Sequence, residues 1–281
     1  MDCLPCVLRQ VLEASRMATD KAESQAKIMD EALMILANYK RYQSSPDIVK
    51  DMHQVVKRLT GISDPYKAVK ERDIKAAKEA SPLLREFVRN KQGKLYWALK
   101  TAATGNIIDS AIYNSLNFTD CLENELAKEF STCDLDIFEE ELKSAKSILI
   151  IGDNAGETVF DRVLIEYLPG YEITYAVRDE PIINDATLQD AYDSGLCDCA
   201  DIITTGCGAP GAILNQCGAE FLSVFNRADI VISKGQGNFE ALSDCRRPVF
   251  FLLKAKCAMI ARRLGVNLNS YVFKYHRAEV I

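Results

Sequence analysis

Apolar positions recur at helical spacing through the first half of the chain. Leu4, Val7, Leu8, Val11 and Leu12 follow i, i+3, i+4, i+7 and i+8, the stripe of one buried helix face. Ile28, Ala32, Ile35, Leu36 and Tyr39 repeat it, as do Ile48, Met52, Val55, Val56 and Leu59. Pro46 and Pro65 each follow a serine or aspartate suited to capping, which predicts them in the first turns of their helices. Further helices are expected over 66–90, 94–116 and 119–145, and no fixed-period repeat is present.

After residue 145 the pattern changes to short apolar runs alternating with helical stretches. The runs Ser147–Ile151, Glu172–Val177, Asp201–Thr205, Asp229–Ser233, Val249–Leu253 and Tyr271–Tyr275 predict strands. Helices are expected between them over 156–167, 185–194, 211–227, 238–243 and 256–264. Such alternation predicts an α/β fold: a Rossmann-like, mainly parallel sheet with helices on both faces, plus an all-helical N-terminal region. Glycine marks the same change, with three residues before position 146 and eleven after it. The expected organisation is a helical domain over 1–145 and an α/β domain over 146–281, sharing one cleft.

Composition narrows the class. The 281 residues are 48% hydrophobic and 26% charged, which excludes a disordered tail, a collagen-like chain and a small disulfide knot. The net charge of −6 argues against sequence-blind binding to nucleic acid or anionic lipid. No apolar run approaches the ~18 residues that cross a bilayer. Asp2 stands where a signal peptide would carry basic residues, so a cytoplasmic protein with reduced thiols is expected. The oligomeric state is not fixed by any of these features.

In parallel sheets ligands bind beyond the carboxyl ends of the strands, so the loops there carry the candidate chemistry. The first, Gly152-Asp153-Asn154-Ala155-Gly156-Glu157, places carboxylates where a dinucleotide loop would offer bare amides. Asp153 and Asn154 offer hard oxygen donors for Mg²⁺ or Mn²⁺, although Asp153 is as well suited to capping the next helix. Asp185, in Asn184-Asp185-Ala186-Thr187, is a third oxygen donor or another helix cap. Arg178 fits a bidentate phosphate contact or an ordinary ion pair. Thr204 to Gly211 allows close backbone approach to a ligand or is a plain loop. Lys234, ahead of Gly235 and Gly237, is placed to clamp an anion unless it is simply solvated. Together these loops suit phosphoryl chemistry, with a metal polarising the phosphoryl oxygen and a lysine holding charge.

The residues resemble the damage-control phosphatase family, long classed as a domain of unknown function and related to acidic-residue methyltransferase-like proteins. The resemblance rests on Met1 to Cys6, Asp64-Pro65-Tyr66, Gly105 to Asp109, Gly152 to Glu157, Asn184 to Thr187, Ser233 to Asn238 and Leu253 to Cys257. Its N-terminal cysteine pair resembles that of the mainly prokaryotic branch. It implies a metal-dependent phosphatase of small phosphorylated metabolites, sugar-phosphate-like or side-product phosphates, using Mn²⁺, Mg²⁺, Co²⁺ or Ni²⁺. By the same likeness Asp153, Asn154 and Asp185 hold the metal, Lys234 lies near the phosphate, and Asn106 and Asp109 enter the cleft from the helical part. A mechanism consistent with this is direct hydrolysis by a metal-activated water, with Glu157 or Asp109 accepting its proton and Lys234, with Arg178, offsetting charge. No Cys-x₅-Arg loop or D-x-D-x-T/V loop is present to form a covalent phospho-enzyme.

Two other functions fit a Rossmann-like sheet: a nucleoside-cofactor-dependent methyltransferase, and a metal- or ligand-binding protein without turnover. The acid-rich first loop argues against the former. Cys3 and Cys6 have ligand spacing, and Cys257 is a candidate third thiol of a soft metal or redox site; idle packing is the alternative. With only His53 and His276 in the chain, a multi-histidine zinc site is excluded.

Overall fold

The computed structural model describes residues 3–105 and 118–277, except the side chains of 118–120. Helices α1 (Cys3–Ala18), α2 (Ala22–Ala37), α3 (Ser45–Thr60), α4 (Lys67–Arg89), α5 (Lys94–Thr104) and α6 (Phe118–Leu126) come first. Strand β1 (Phe130–Cys133) and helix α7 (Leu135–Leu142) then lead to β2 (Ser147–Ile151), α8 (Glu157–Ile165) and β3 (Glu172–Val177). The chain continues through α9 (Leu188–Ser194), β4 (Asp201–Thr204), α10 (Ala219–Arg227), β5 (Ile230–Lys234) and α11 (Gly235–Leu242). It ends in β6 (Val249–Lys254), α12 (Ala258–Leu264) and β7 (Tyr271–His276).

The strands form one seven-stranded sheet in the order β1-β7-β6-β5-β2-β3-β4. Every pairing is parallel except β6 with β7. Ile148 to Ile151 are all buried, as expected of a central parallel strand covered on both faces. Successive residues serve opposite layers. Ile148 and Ile150 pack with Leu84 of α4, Leu99 of α5 and Phe160 of α8, while Leu149 and Ile151 pack with Phe225 of α10, Leu242 of α11 and Ile260 of α12. Helices α1, α2 and α3 build a smaller core around Val11, Ile28 and Met52, which Tyr66 and Ile182 join.

Several boundaries depart from the sequence pattern. The helix expected over 119–145 is divided by β1, whose Phe130, Thr132 and Cys133 pair with β7. The helix expected from 211 begins at Ala219, because 211–218 forms a loop containing a short 3₁₀ turn at Leu214–Gln216. Pro65 stands ahead of α4 rather than in its first turn, in a bend where Tyr66 N–H donates to Asp64 Oδ1 at 3.0 Å. The strand order reverses around β2, with β3 on one side and β5 on the other. That switch point opens a crevice at the carboxyl ends of β2 and β5, where Asp153 and Lys234 lie.

Candidate active site

Backbone bonds join the first two loops. Ala186 N–H donates to Asp153 O at 2.8 Å and Ala155 N–H donates to Asn184 O at 2.9 Å. This pairing brings Asp153 and Asp185 together although they are distant in sequence. Neither acid caps a helix. Gly156 occupies the N-cap of α8, and Thr187 caps α9 in a reciprocal box with Asp190. Behind Asp153, Gly235 has φ +79°, and a Cβ there would stand 2.0 Å from Asp153 Oδ2. Only glycine admits the carboxylate so close to the β5 turn. Asn238 locks the loops by donating through Nδ2 to Gly152 O at 2.9 Å and Lys234 O at 2.8 Å.

Four carboxylates and two cations meet in this corner. Arg178, fully buried, bonds Asp185 Oδ2 through Nε at 2.7 Å, and its Nη1 and Nη2 have no partner among the described residues. Lys234 Nζ bonds Glu157 Oε2 at 3.1 Å and Asp161 Oδ1 at 2.5 Å. Tyr175 OH donates to the other oxygen of Asp161 at 2.6 Å. Asn154 Nδ2 donates to Glu157 Oε1 at 2.9 Å and approaches Asp153 Oδ2 at 3.5 Å. Among the described residues no cation bonds Asp153, which is 9% exposed.

The electrostatics follow from this placement. Burial, then the charges of Glu157 and Asp185, hold the Asp153 carboxyl well above its usual range. Burial also raises Asp185 and Asp161 despite their cationic neighbours. Burial disfavours the Lys234 charge, but Asp161 and Glu157 outweigh it and push its pKa up. Lys234 therefore stays an ammonium.

Asp153, Asn154, Glu157 and Asp185 lie on the wall of one cavity of about 320 Å³, together with Gln236 and Lys256. Lys234 and Arg178 are not among its lining residues; each stands behind an acid that is. Expected site residues Asn106 and Asp109 lie outside the described residues. Cys3, Cys6 and Cys257 line the same cavity, but their sulfurs have separate partners. Cys3 donates to Met259 Sδ at 3.5 Å, Arg9 donates to Cys6 at 3.4 Å, and Gln236 donates to Cys257 at 3.8 Å. Among the described residues no three His, Cys, Asp or Glu side chains form a group able to hold a metal ion. The thiols thus share a wall without forming a ligand cluster, and a cation at the acids would rest on two carboxylates, a carboxamide and water.

Asp161, Tyr175, Asn238 and Lys256 belong to the site or its support and were not singled out by the strand-tip argument. Asp161 carried a signal, since Glu157 and Asp161 stand four apart, on one face of a helix otherwise rich in apolar residues. Asn238 carried none, because its role depends on two loops meeting.

Comparison with known proteins agrees with this architecture. The family model described as the damage-control phosphatase ARMT1-like domain matches residues 1–272. The chain is 34% identical over 283 aligned positions to the Methanocaldococcus jannaschii protein MJ0202, covering 96% of this chain and 93% of that one. It is 32% identical to a damage-control phosphatase of Archaeoglobus fulgidus, covering 97% of each chain. The crystal structure of the DUF89 family protein PH1575 from Pyrococcus horikoshii superposes with a TM-score of 0.90 at 32% identity, covering 99% of this chain and 98% of that one. By its sequence and its fold, the chain belongs to the damage-control phosphatase family.

Proposed function

We propose that this chain is a divalent-metal-dependent phosphatase of small phosphorylated metabolites, with Asp153, Asn154 and Asp185 holding the ion. One observation carries the reading. Asp153 is a buried carboxylate on the cavity wall whose burial and whose repulsion by Glu157 and Asp185 outweigh the charges of Arg178 and Lys256, and no cation is bonded to it among the described residues. Such an arrangement is costly unless a cation occupies it. The donors are hard oxygens, which suit Mg²⁺ or Mn²⁺, with Co²⁺ and Ni²⁺ added by the family resemblance. Once bound, the ion would supply Lewis acidity toward a phosphoryl oxygen and a lowered pKa for water.

The chain's own residues do the remaining work. Arg178 fixes the Asp185 carboxylate through Nε, and Lys234 fixes Glu157 from behind. Glu157, on the wall beside Asp153, is placed to accept a proton from the attacking water. Lys256 lines the same cavity and offers positive charge to the phosphate. The names of two relatives, damage-control phosphatase, support the same activity class. The test is phosphate release from a panel of phosphorylated metabolites with Mn²⁺, Mg²⁺, Co²⁺ or Ni²⁺. Release that requires metal and disappears in Asp153→Ala and Asp185→Ala supports the reading. Full release by both variants would sink it.

A further inference from the structure

The loop from β4 to α10 closes on itself outside the acid corner. Gly218 N–H donates to Thr205 O at 2.9 Å. Beside this bond Gly206 takes φ +65°, and a Cβ on it would stand 2.5 Å from Gly218 N. The two limbs pass so closely that no side chain fits between them. Cys207 and Cys217 are the next residues inward, one on each limb, and Cys207 Sγ donates to Gly211 O at 3.8 Å. Cys207 is buried and Cys217 half-buried, and both pack with Ala209 and Ile213. Neither lines the cavity. Cys3 and Cys6, although close in sequence, bond Met259 and Arg9 instead.

We propose that Cys207 and Cys217 form a site of reversible oxidation, closing to a disulfide across the 207–217 loop when the protein meets hydrogen peroxide. The neighbouring Cys217 thiol, then the Ala209 and Ile213 backbone, lower the Cys207 pKa from 9.0 to about 6 against the cost of burial. Cys217 is correspondingly held as a thiol, with Arg178 close enough to ease its later ionisation.

The chemistry balances. The Cys207 thiolate attacks one peroxide oxygen, the O–O bond breaks, and Cys207 becomes a sulfenic acid as hydroxide leaves. The Cys217 sulfur then attacks the Cys207 sulfur, the S–O bond breaks, and the hydroxyl departs as water with the Cys217 proton. The first hydroxide recovers the proton that Cys207 lost on ionising. Two thiols and one peroxide give one disulfide and two waters, with two electrons passing from sulfur to oxygen. The closed loop carries Pro210, part of the cavity wall, and Ala212, whose N–H donates to Asn238 Oδ1 at 3.0 Å. Oxidation would therefore fix one wall of the cavity without using any of the four carboxylates of the acid corner.

The experiment treats the full chain with equimolar hydrogen peroxide, blocks remaining thiols, maps peptides without reduction, and records the unfolding midpoint. The expected result is loss of two of the ten thiols and a linked Cys207–Cys217 peptide that a dithiol reductant abolishes. The midpoint should rise by roughly 5 °C, as for closure of a short loop. Cys217→Ala should lose the link and the rise, leaving Cys207 as the oxidised residue. Oxidation confined to other cysteines, no oxidation, or Cys207 passing to sulfinic acid while Cys217 stays reduced would each overturn the proposal. The wild-type peptide map decides this even where the variant fails to fold.

Discussion

Lys70 on α4 and the acid corner around Asp153 both bury charge where helices meet the loops of the sheet, yet their partners are arranged differently. Lys70 Nζ lies 2.7 Å from Asp64 Oδ2 and 2.8 Å from Asp190 Oδ2. That same Asp190 oxygen also accepts from Thr187 N–H at 2.8 Å and Thr187 Oγ1 at 2.6 Å. The triad joins the Asp64-Pro65-Tyr66 bend to the start of α9 and does not line the cavity beside Asp153. In the acid corner Asp153 has no bonded cation among the described residues, and the two Nη groups of Arg178 have no acceptor among them. A charge cluster with every partner in place holds structure together. One with a carboxylate left over on a cavity wall is arranged to take up something else.

This contrast can be broken by substitution, beginning with the largest effect. Asp153→Ala should lower metal-dependent phosphate release by roughly 10³-fold, about 4 kcal/mol of barrier, measured as kcat/KM on any accepted substrate. Lys70→Ala leaves the buried Asp190 and the half-buried Asp64 without their cation and should cost about 3 kcal/mol in denaturant unfolding. A Lys70 variant of unchanged stability would show that the triad is not structural. Asp153→Ala and Lys70→Ala thus separate activity from stability.

His53, buried in α3 beside Tyr66, sharpens the contrast through pH. Burial, helped by the charge of Lys57, lowers its pKa from 6.5 to about 4. Between those values the unfolded chain holds a proton that the folded one does not, so stability falls as pH falls. The contribution is present above the unfolded pKa and shrinks by about 3 kcal/mol on reaching pH 4. His53→Phe should flatten that part of the stability profile; parallel profiles for variant and wild type would contradict the assignment. The smallest effects have opposite signs. In chelator, Asp153→Asn should raise unfolding stability by about 1 kcal/mol by removing a repelled buried charge, whereas Asp190→Asn should lower it by ~2 kcal/mol. The same sign for both would erase the distinction between the clusters.

The alternation of apolar runs was enough to place six of the strands, because central parallel strands such as Ile148 to Ile151 are continuously apolar. Strand β1 escaped because Phe130-Ser131-Thr132-Cys133 is short, half-exposed and flanked by acid-rich helical sequence. It is a strand because β7 lies alongside. Asp153 and Asp185 were legible as acids at strand tips, but capping was an equal reading until Gly156 and Thr187 proved to hold the cap positions. The directions of Lys234 and Arg178 were not legible. A long cation turns toward its nearest buried carboxylate, and whether that lies behind or in front of the strand is settled by Asp161 and Asp185 in three dimensions.

On the proposed function, Asp153, which has no bonded cation among the described residues, holds the ion on which hydrolysis depends. Calorimetric titration of Mn²⁺ into metal-free protein, with phosphate release followed in the same samples, tests it directly. One saturable ion per chain is expected, with release that rises with occupancy and binding weakened at least ~100-fold in Asp153→Asn. Undiminished phosphate release in chelator, or equal Mn²⁺ affinity in wild type and Asp153→Asn, would contradict it.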